Sequence, residues 1–257
     1  MPNKGLIDLT GRVALITGGS RGIGAATAVL MAEVGADIAI FYRRGSKSSL
    51  RVRDEVRRAG RKFLALRIDV ASPRSVSRGV DTVFERFGRL DIVVNNAGIW
   101  TYGEMGKMSE RTLNETIDIN LKGVFNVCNS VVPFMKKQGG GRIINVASTA
   151  GQRGEAYHSH YAATKGGVIA LTKSLAAELA PENIIVNCVA PGWVGTDMCA
   201  EVFADKDFKE EIRRTIPRGS IATADEIAGP IVFLASDLAS HIVGAVLSVN
   251  GGSVLSG

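Results

Sequence analysis

Tyr161 and Lys165 stand four residues apart in Tyr-Ala-Ala-Thr-Lys, with Ser148 thirteen residues upstream. In a helix, positions i and i+4 lie on one face, one above the other. The Ala- and Leu-rich run from Tyr161 to Ala180 predicts such a helix. A lysine ammonium beside a phenol favours the phenolate, so the pair is expected to draw the tyrosine pKa down from its usual ~10. A phenol tuned in that way can give and take protons. Ser148 closes Arg-Ile-Ile-Asn-Val-Ala-Ser, an apolar run that predicts a buried strand delivering the hydroxyl at its C-terminal end. Many helices carry a Tyr-x-x-x-Lys as packing plus a solvated charge, so the pair needs independent support.

Support lies near the N-terminus. Thr17-Gly18-Gly19-Ser20-Arg21-Gly22-Ile23-Gly24 follows the apolar run Val13-Ala14-Leu15-Ile16 and precedes a helix pattern, Ala25 to Ala32. A glycine-rich turn between strand and helix lets the backbone approach a pyrophosphate, and the helix N-terminus supplies free N–H groups and partial positive charge. The spacing is Gly-x-x-x-Gly-x-Gly, distinct from the general Gly-x-Gly-x-x-Gly fingerprint. Taken alone, the segment also reads as an ordinary turn with glycine caps.

These groups must be positioned by alternating elements. Short apolar runs predict strands near 12–17, 36–42, 63–68, 91–95, 142–148, 184–190 and 245–249, with helices at about 22–34, 46–59, 72–87, 109–137, 158–180 and 223–235. Near-continuous hydrophobic strands indicate a parallel sheet covered on both faces. The expectation is an α/β, Rossmann-type doubly wound parallel sheet of about seven strands, with its ligand cleft at the strand C-terminal ends. No linker, repeat or low-complexity stretch divides the chain, which predicts a single domain over 1–257.

Bulk composition narrows the classes. A hydrophobic content of 46% with 22% charge describes a globular chain with ample core rather than a disordered one. No apolar run approaches a membrane span, and the start, Met-Pro-Asn-Lys-Gly-Leu-Ile-Asp, lacks a signal-peptide stretch, so a cytoplasmic location without membrane contact is expected. Cys128, Cys188 and Cys199 are scattered and the histidines form no ligand pattern, so no metal is expected. The net charge of +6 is concentrated between Arg43 and Arg67. Most of that run reads as a solvated helix face, and no nucleic-acid recognition motif accompanies it.

The stretches Thr17 to Gly24, Asp69, Asn95-Asn96-Ala97-Gly98, Asn120, Ser148, Tyr161 with Lys165, Pro191-Gly192 and Thr196 occur in a telling order and spacing. In these the chain resembles the short-chain dehydrogenase/reductase family, its compact single-domain branch, along nearly its whole length. The resemblance implies an NAD(P)-dependent enzyme in which Tyr161 is the general acid/base, protonating the substrate oxygen as hydride arrives from the nicotinamide. It gives Lys165 the tasks of lowering the Tyr161 pKa and binding the nicotinamide ribose, and gives Ser148 the carbonyl oxygen, so that a developing oxyanion meets preplaced donors. Asn120 matches an asparagine that keeps a water in a proton relay to Lys165; a polar residue satisfied by a helix kink is the compatible alternative.

The same resemblance assigns cofactor contacts. Gly18, Ser20, Arg21, Gly22, Ile23 and Gly24 form the phosphate loop. Asn95, Asn96, Ala97 and Gly98 line the adenosine side, and Asp69, with Val70 beside it, meets the adenine amino group. Pro191, Gly192 and Val194 fall with the cofactor, and Thr196 contacts the nicotinamide amide or else caps the following helical piece. NAD-selective members end the second strand with an acid that accepts from the ribose 2′-hydroxyl. Here the strand ends Tyr42-Arg43-Arg44, with Tyr42 where the acid would fall, and Arg21 lies in the phosphate loop. Two guanidiniums, Arg21 and Arg43, suit a 2′-phosphate. NADP(H) is therefore expected, with NAD(H) the alternative.

Substrate is less legible. The C-terminal half, with Asn187 to Gly192, Asp225 to Ala228, Phe233 to Asp237 and Val249 to Gly252, resembles the reductases of 3-oxoacyl thioesters, on carrier protein or CoA. Basic docking residues near the cleft are sparse, with Lys136 and Lys137 alone beside Gln138 to Gly141 and Ala180 to Asn183. A sugar, polyol or other secondary-alcohol dehydrogenase is the alternative. Enoyl reductases of the superfamily space Tyr and Lys seven apart, and position 158 here is His. A non-catalytic dinucleotide-sensing protein would lack the tyrosine, serine or lysine, all of which are present. Trp100, Tyr102, Tyr157 and His158, with His160, Trp193 and Met198, fall near the mouth, as substrate walls or as lid and subunit packing. The segment about 191–217 would cover the substrate, and family members of this size imply a homotetramer through the two long helices and the C-terminal strand region.

Overall fold

The computed structural model describes residues 6–44 and 46–255, so the first five of the eight residues read above for a leader lie outside the described residues. The apolar runs become β1 (Val13–Thr17), β2 (Asp37–Tyr42), β3 (Phe63–Arg67), β4 (Ile92–Asn95), β5 (Gly141–Val146), β6 (Ile184–Pro191) and β7 (Val246–Val249). They form one seven-stranded sheet, order β3-β2-β1-β4-β5-β6-β7, with every pairing parallel. The order reverses between β1 and β4, where Ile16 stands opposite Val94. A doubly wound sheet opens its ligand crevice at such a point.

Side chains alternate across each strand. Val13 and Leu15 enter a core with Val127, Val131 and Val168, while Ala14 and Ile16 enter another with Ala28, Met31 and Ile231. Burying each Leu, Ile or Val side chain stabilises the fold by roughly 1.5–3 kcal/mol. The first core is covered by α3 (Pro73–Phe87), α5 (Gly123–Lys137) and α7 (Ser159–Leu179); the second by α1 (Gly22–Glu33), α2 (Ser46–Arg58) and α10 (Ala224–Ala235). Boundaries follow local chemistry. Ser72 caps α3 by accepting from Ser75 N at 3.3 Å, and Thr223 with Glu226 forms a reciprocal capping box on α10. No helix of the described residues is long and apolar enough to cross a membrane.

The helix expected over 109–137 is broken. It consists of α4 (Glu110–Ile117), a π-helical turn (Asp118–Lys122) and α5. The wide turn carries Asn120 inward, where its side chain accepts from Ile99 N and donates to Ile99 O, both at 2.8 Å. An insertion of this kind re-aims a residue without ending the helix. β5 also stops at Val146, so Ser148 lies beyond the strand, as the N-cap of the short α6 (Thr149–Arg153). After β6 come α8 (Ala200–Ala204) and α9 (Lys206–Arg214).

Candidate active site

The turn from β1 into α1 is close-packed. A Cβ at Gly24 would lie 2.5 Å from both Gly18 O and Asn96 Nδ2, so only glycine lets the helix meet the turn. Arg21 holds the N-cap position of α1 without a side-chain capping bond, which leaves first-turn N–H groups for an anion. Thr17 Oγ1 accepts from the N–H groups of Asn96 and Ala97, each at 3.0 Å. Asn96 Nδ2 donates back to Thr17 O at 3.0 Å and Gly18 O at 3.4 Å. These bonds fix the two loops that flank the reversal of strand order. Asn96 thus faces the cleft with its amide already engaged, as a positioning residue. Asn95 departs from expectation: it ends β4, is buried, and donates to Asn145 Oδ1 at 2.9 Å, away from the cleft.

The cleft beside this turn gathers most of the residues assigned to the cofactor. Gly18, Ser20, Arg21, Gly22 and Ile23 form one wall. Tyr42, Arg43 and Arg44 stand at the end of β2, and Asp69 and Val70 follow β3. Asn96, Ala97, Gly98 and Thr196 complete the set, while Gly24 supports it from behind. Arg21 and Arg43 do share this cleft, yet each meets a carboxylate that sequence reasoning passed over. Arg43 Nη2 lies 3.2 Å from Glu115 Oε1, and Arg21 Nη1 3.8 Å from Asp197 Oδ2. Asp69 Oδ1 accepts from Ala71 N at 3.0 Å. Thr196 precedes a 3-10 turn but makes no side-chain cap bond, so the capping alternative for its hydroxyl is not what the structure holds. A close-packed glycine turn, an uncapped helix start and a pair of arginines fit a dinucleotide.

A second cleft adjoins the first, and Ile23, Asn96, Gly98, Thr196 and Met198 face both. It brings together Ser148, Tyr161 and Lys165, with Pro191, Gly192 and Val194, which thereby line this cleft and not the first. Tyr161 and Lys165 project from α7 and are 8% and 5% exposed. Ser148 accepts from Ala150 N at 3.1 Å, and its hydroxyl stands near enough to Tyr161 to favour the phenolate. Lys165 Nζ donates to Val146 O at 2.7 Å and lies 5.8 Å from the centre of the Tyr161 ring. A Cβ on Gly98 would be 3.3 Å from Asn120 Oδ1 and 3.6 Å from Lys165 Nζ, so both side chains abut one stretch of backbone.

The electrostatics correct the expectation for Tyr161. Burial pushes its pKa above the usual phenol value, the Ser148 hydroxyl opposes this, and the charges of Glu155 and Cys199 raise it further. Lys165, whose ammonium is directed to a carbonyl, is itself lowered to about 8 by burial. Depth outweighs the i,i+4 pairing. Asn120 is fully buried, and its amide is satisfied by Ile99, as the kink reading has it.

The remaining wall of this cleft is aromatic and charged. Trp100 stacks on His158 at 4.2 Å and 7°, and Trp193 meets Trp100 edge-on at 5.8 Å. Trp193 also contacts Phe203 of α8 at 5.9 Å. Tyr102 and Tyr157 stack on each other at 5.7 Å on the exposed rim. His160 turns away: it is 3% exposed and its Nε2 is 2.9 Å from Thr101 Oγ1. Sequence reasoning missed Arg153, Glu155 and Cys199, all of which line the cleft. Their signal was position alone, since a loop between Ser148 and Tyr161 borders the cleft that those two residues share. Among the described residues no group of three or more His, Cys, Asp or Glu could hold a metal ion.

The family described as Enoyl-(Acyl carrier protein) reductase matches residues 18–254. The chain is 41% identical over 239 residues to the 3-oxoacyl-[acyl-carrier-protein] reductase of Staphylococcus aureus (strain Mu50 / ATCC 700699), covering 93% of this chain and 96% of that one. It is 39% identical over 244 residues to the corresponding reductase of Chlamydia muridarum (strain MoPn / Nigg), covering 95% and 98%. Among solved structures, a candidate NAD(P) dependent gluconate 5-dehydrogenase from Beutenbergia cavernae, with NADP bound at low occupancy, superposes with a TM-score of 0.91 at 35% identity, covering 97% of this chain and 99% of that one.

Proposed function

This chain belongs to the short-chain dehydrogenase/reductase family and is an oxidoreductase that uses a nicotinamide cofactor, and on that premise we propose that it reduces a ketone with NADPH as the hydride donor. One observation carries the reading: Ser148, Tyr161 and Lys165 line a single cleft that opens into the dinucleotide cleft. NADPH supplies the hydride when bound. Gly18, Ser20, Gly22 and the start of α1 would hold its pyrophosphate, and Arg21 and Arg43, now paired with Asp197 and Glu115, would face its 2′-phosphate.

The chain's own groups manage the proton. Ser148 and Tyr161 present hydroxyls to the carbonyl oxygen, so negative charge that builds there meets preplaced donors. Tyr161, held above the ordinary phenol pKa, keeps its proton at neutral pH until that oxygen becomes basic enough to take it. Lys165, poised at about 8, is ready to return a proton to Tyr161, and Asn120 fixes the backbone beside it.

The curated relatives support a 3-oxoacyl thioester as the substrate. The four-residue spacing of Tyr161 and Lys165 favours carbonyl reduction over the enoyl chemistry in the family's description. A second reading, a sugar or polyol ketone, draws support from the Trp100, Trp193 and Glu155 lining of the cleft. The reading includes a cytoplasmic homotetramer, for which the exposed Phe125, Val243 and Leu247 on α5 and around β7 are apt contacts.

The test is NADPH and NADH oxidation with an acetoacetyl thioester, comparing wild type with Tyr161→Phe. Turnover should prefer NADPH and fall by about 10²–10⁴ in the variant. Undiminished turnover in Tyr161→Phe would overturn the assignment, and a preference for NADH would overturn the role of the two arginines.

A further inference from the structure

The loop between Ser148 and Tyr161 carries a carboxylate that ketone reduction does not require. Glu155 lines the same cleft as Ser148 and Tyr161, and its side chain is 20% exposed. The loop is held in one shape: Gly154 and Tyr157 both have left-handed backbone, at φ 79° and 62°. Tyr157 O accepts from Gly103 N at 2.8 Å, and Glu155 O from His158 N at 3.2 Å. The Trp100 indole stands near the Glu155 carboxylate and favours its ionised form, and His158 Nδ1 lies 3.9 Å from it. Burial makes ionisation harder for Glu155, while His158, Trp100 and Arg153 assist it.

An ionised carboxylate can accept at about four lone-pair sites, so Glu155 has acceptor capacity facing the cleft. The cleft therefore offers hydroxyl donors in Ser148 and Tyr161, a strong acceptor in Glu155, and indole surface from Trp100 and Trp193. A plain alkyl chain pressed against Glu155 removes water from the carboxylate and returns no hydrogen bond, which is costly. A hydroxyl returns one.

We propose that Glu155 is a specificity-determining residue that accepts a hydrogen bond from a hydroxyl on the carbon next to the reacting carbonyl, so that the site prefers an α-hydroxy ketone to the same ketone without the hydroxyl. The proposal rests on the ketone-reduction reading and develops its second substrate class. It is a preference among ketones, set by one side chain.

The experiment measures kcat/KM with NADPH for 2-hydroxycyclohexanone and cyclohexanone, in wild type, Glu155→Gln and Glu155→Leu. Wild type should favour the hydroxy ketone by about tenfold or more, since a site built to bond a hydroxyl rejects the analogue lacking it. Glu155→Leu should bring the ratio close to one. Glu155→Gln keeps an acceptor oxygen for the hydroxyl and should retain part of the ratio. A purely structural Glu155 would lower both substrates together and leave the ratio unmoved, and that result overturns the proposal. So does a wild-type enzyme that turns over an acetoacetyl thioester yet shows no preference for the hydroxyl. Absence of turnover with all three carbonyls would instead overturn the ketone-reduction reading beneath it.

Discussion

The two clefts are made of different material. The dinucleotide side is built from backbone: a glycine turn, the open start of α1, and loops tied by Thr17 and Asn96. The substrate side is built from side chains on loops and short helices, with Trp100, Glu155, Trp193 and Phe203 each drawn from a different segment. Backbone recognition tolerates little, because every atom is fixed by its neighbours. Side-chain recognition can be rewritten one residue at a time, which is how one scaffold hosts many functions.

The comparison can be strained first on the side-chain side. Lys165 stands at about 8 against an ordinary value of 10.5 because it is buried. Below pH 8 the folded protein carries a charge that burial disfavours; between 8 and 10.5 the unfolded chain binds more protons, so stability rises with pH. Urea unfolding of wild type and Lys165→Met should show the variant's relative advantage shrinking by about 3 kcal/mol from pH 7 to 10.5. A difference that stays flat across that range removes the case for a strained lysine.

A smaller effect probes the backbone side alone. Gly24→Ala places a methyl 2.5 Å from Gly18 O and Asn96 Nδ2, which should cost about 1–3 kcal/mol of stability. NADPH affinity should fall with it, as read by fluorescence titration. Normal stability and binding would mean that the turn is looser than its contacts imply.

The smallest effects concern the few side chains that the dinucleotide side does use. Arg43→Ala should lower the NADPH-to-NADH ratio of kcat/KM by about tenfold, as expected for loss of a charged hydrogen bond. Glu115→Gln, which releases Arg43 from a half-exposed ion pair, should tighten NADPH binding by about twofold. Weaker binding in Glu115→Gln would show that Glu115 orients Arg43 rather than competing for it.

How far the chain could be read follows the same division. The strands were legible to within a residue or two, because a sheet covered on both faces requires continuous apolar runs. The glycine turn and the Tyr161–Lys165 pair were legible by spacing. The π-helical turn was not, since the apolar pattern runs on through Asp118–Lys122 while the backbone widens. Asn95 and Asn96 look alike in sequence, but the alternation of β4 turns one into the core and the next loop brings the other to the cleft. The direction of the Tyr161 shift depends on depth, which no local spacing encodes. Glu115 and Asp197 come to the arginines from distant parts of the chain, and Glu155 had only its place in a loop to mark it.

The five residues that face both clefts, Ile23, Asn96, Gly98, Thr196 and Met198, tie the two occupancies together as a matter of thermodynamics. Any factor by which a bound dinucleotide tightens the hold on a ketone is returned in full, the ketone tightening the hold on the dinucleotide by the same factor. Substitutions in the shared wall therefore act on a coupling free energy, and affinities measured for one ligand alone will miss their effect.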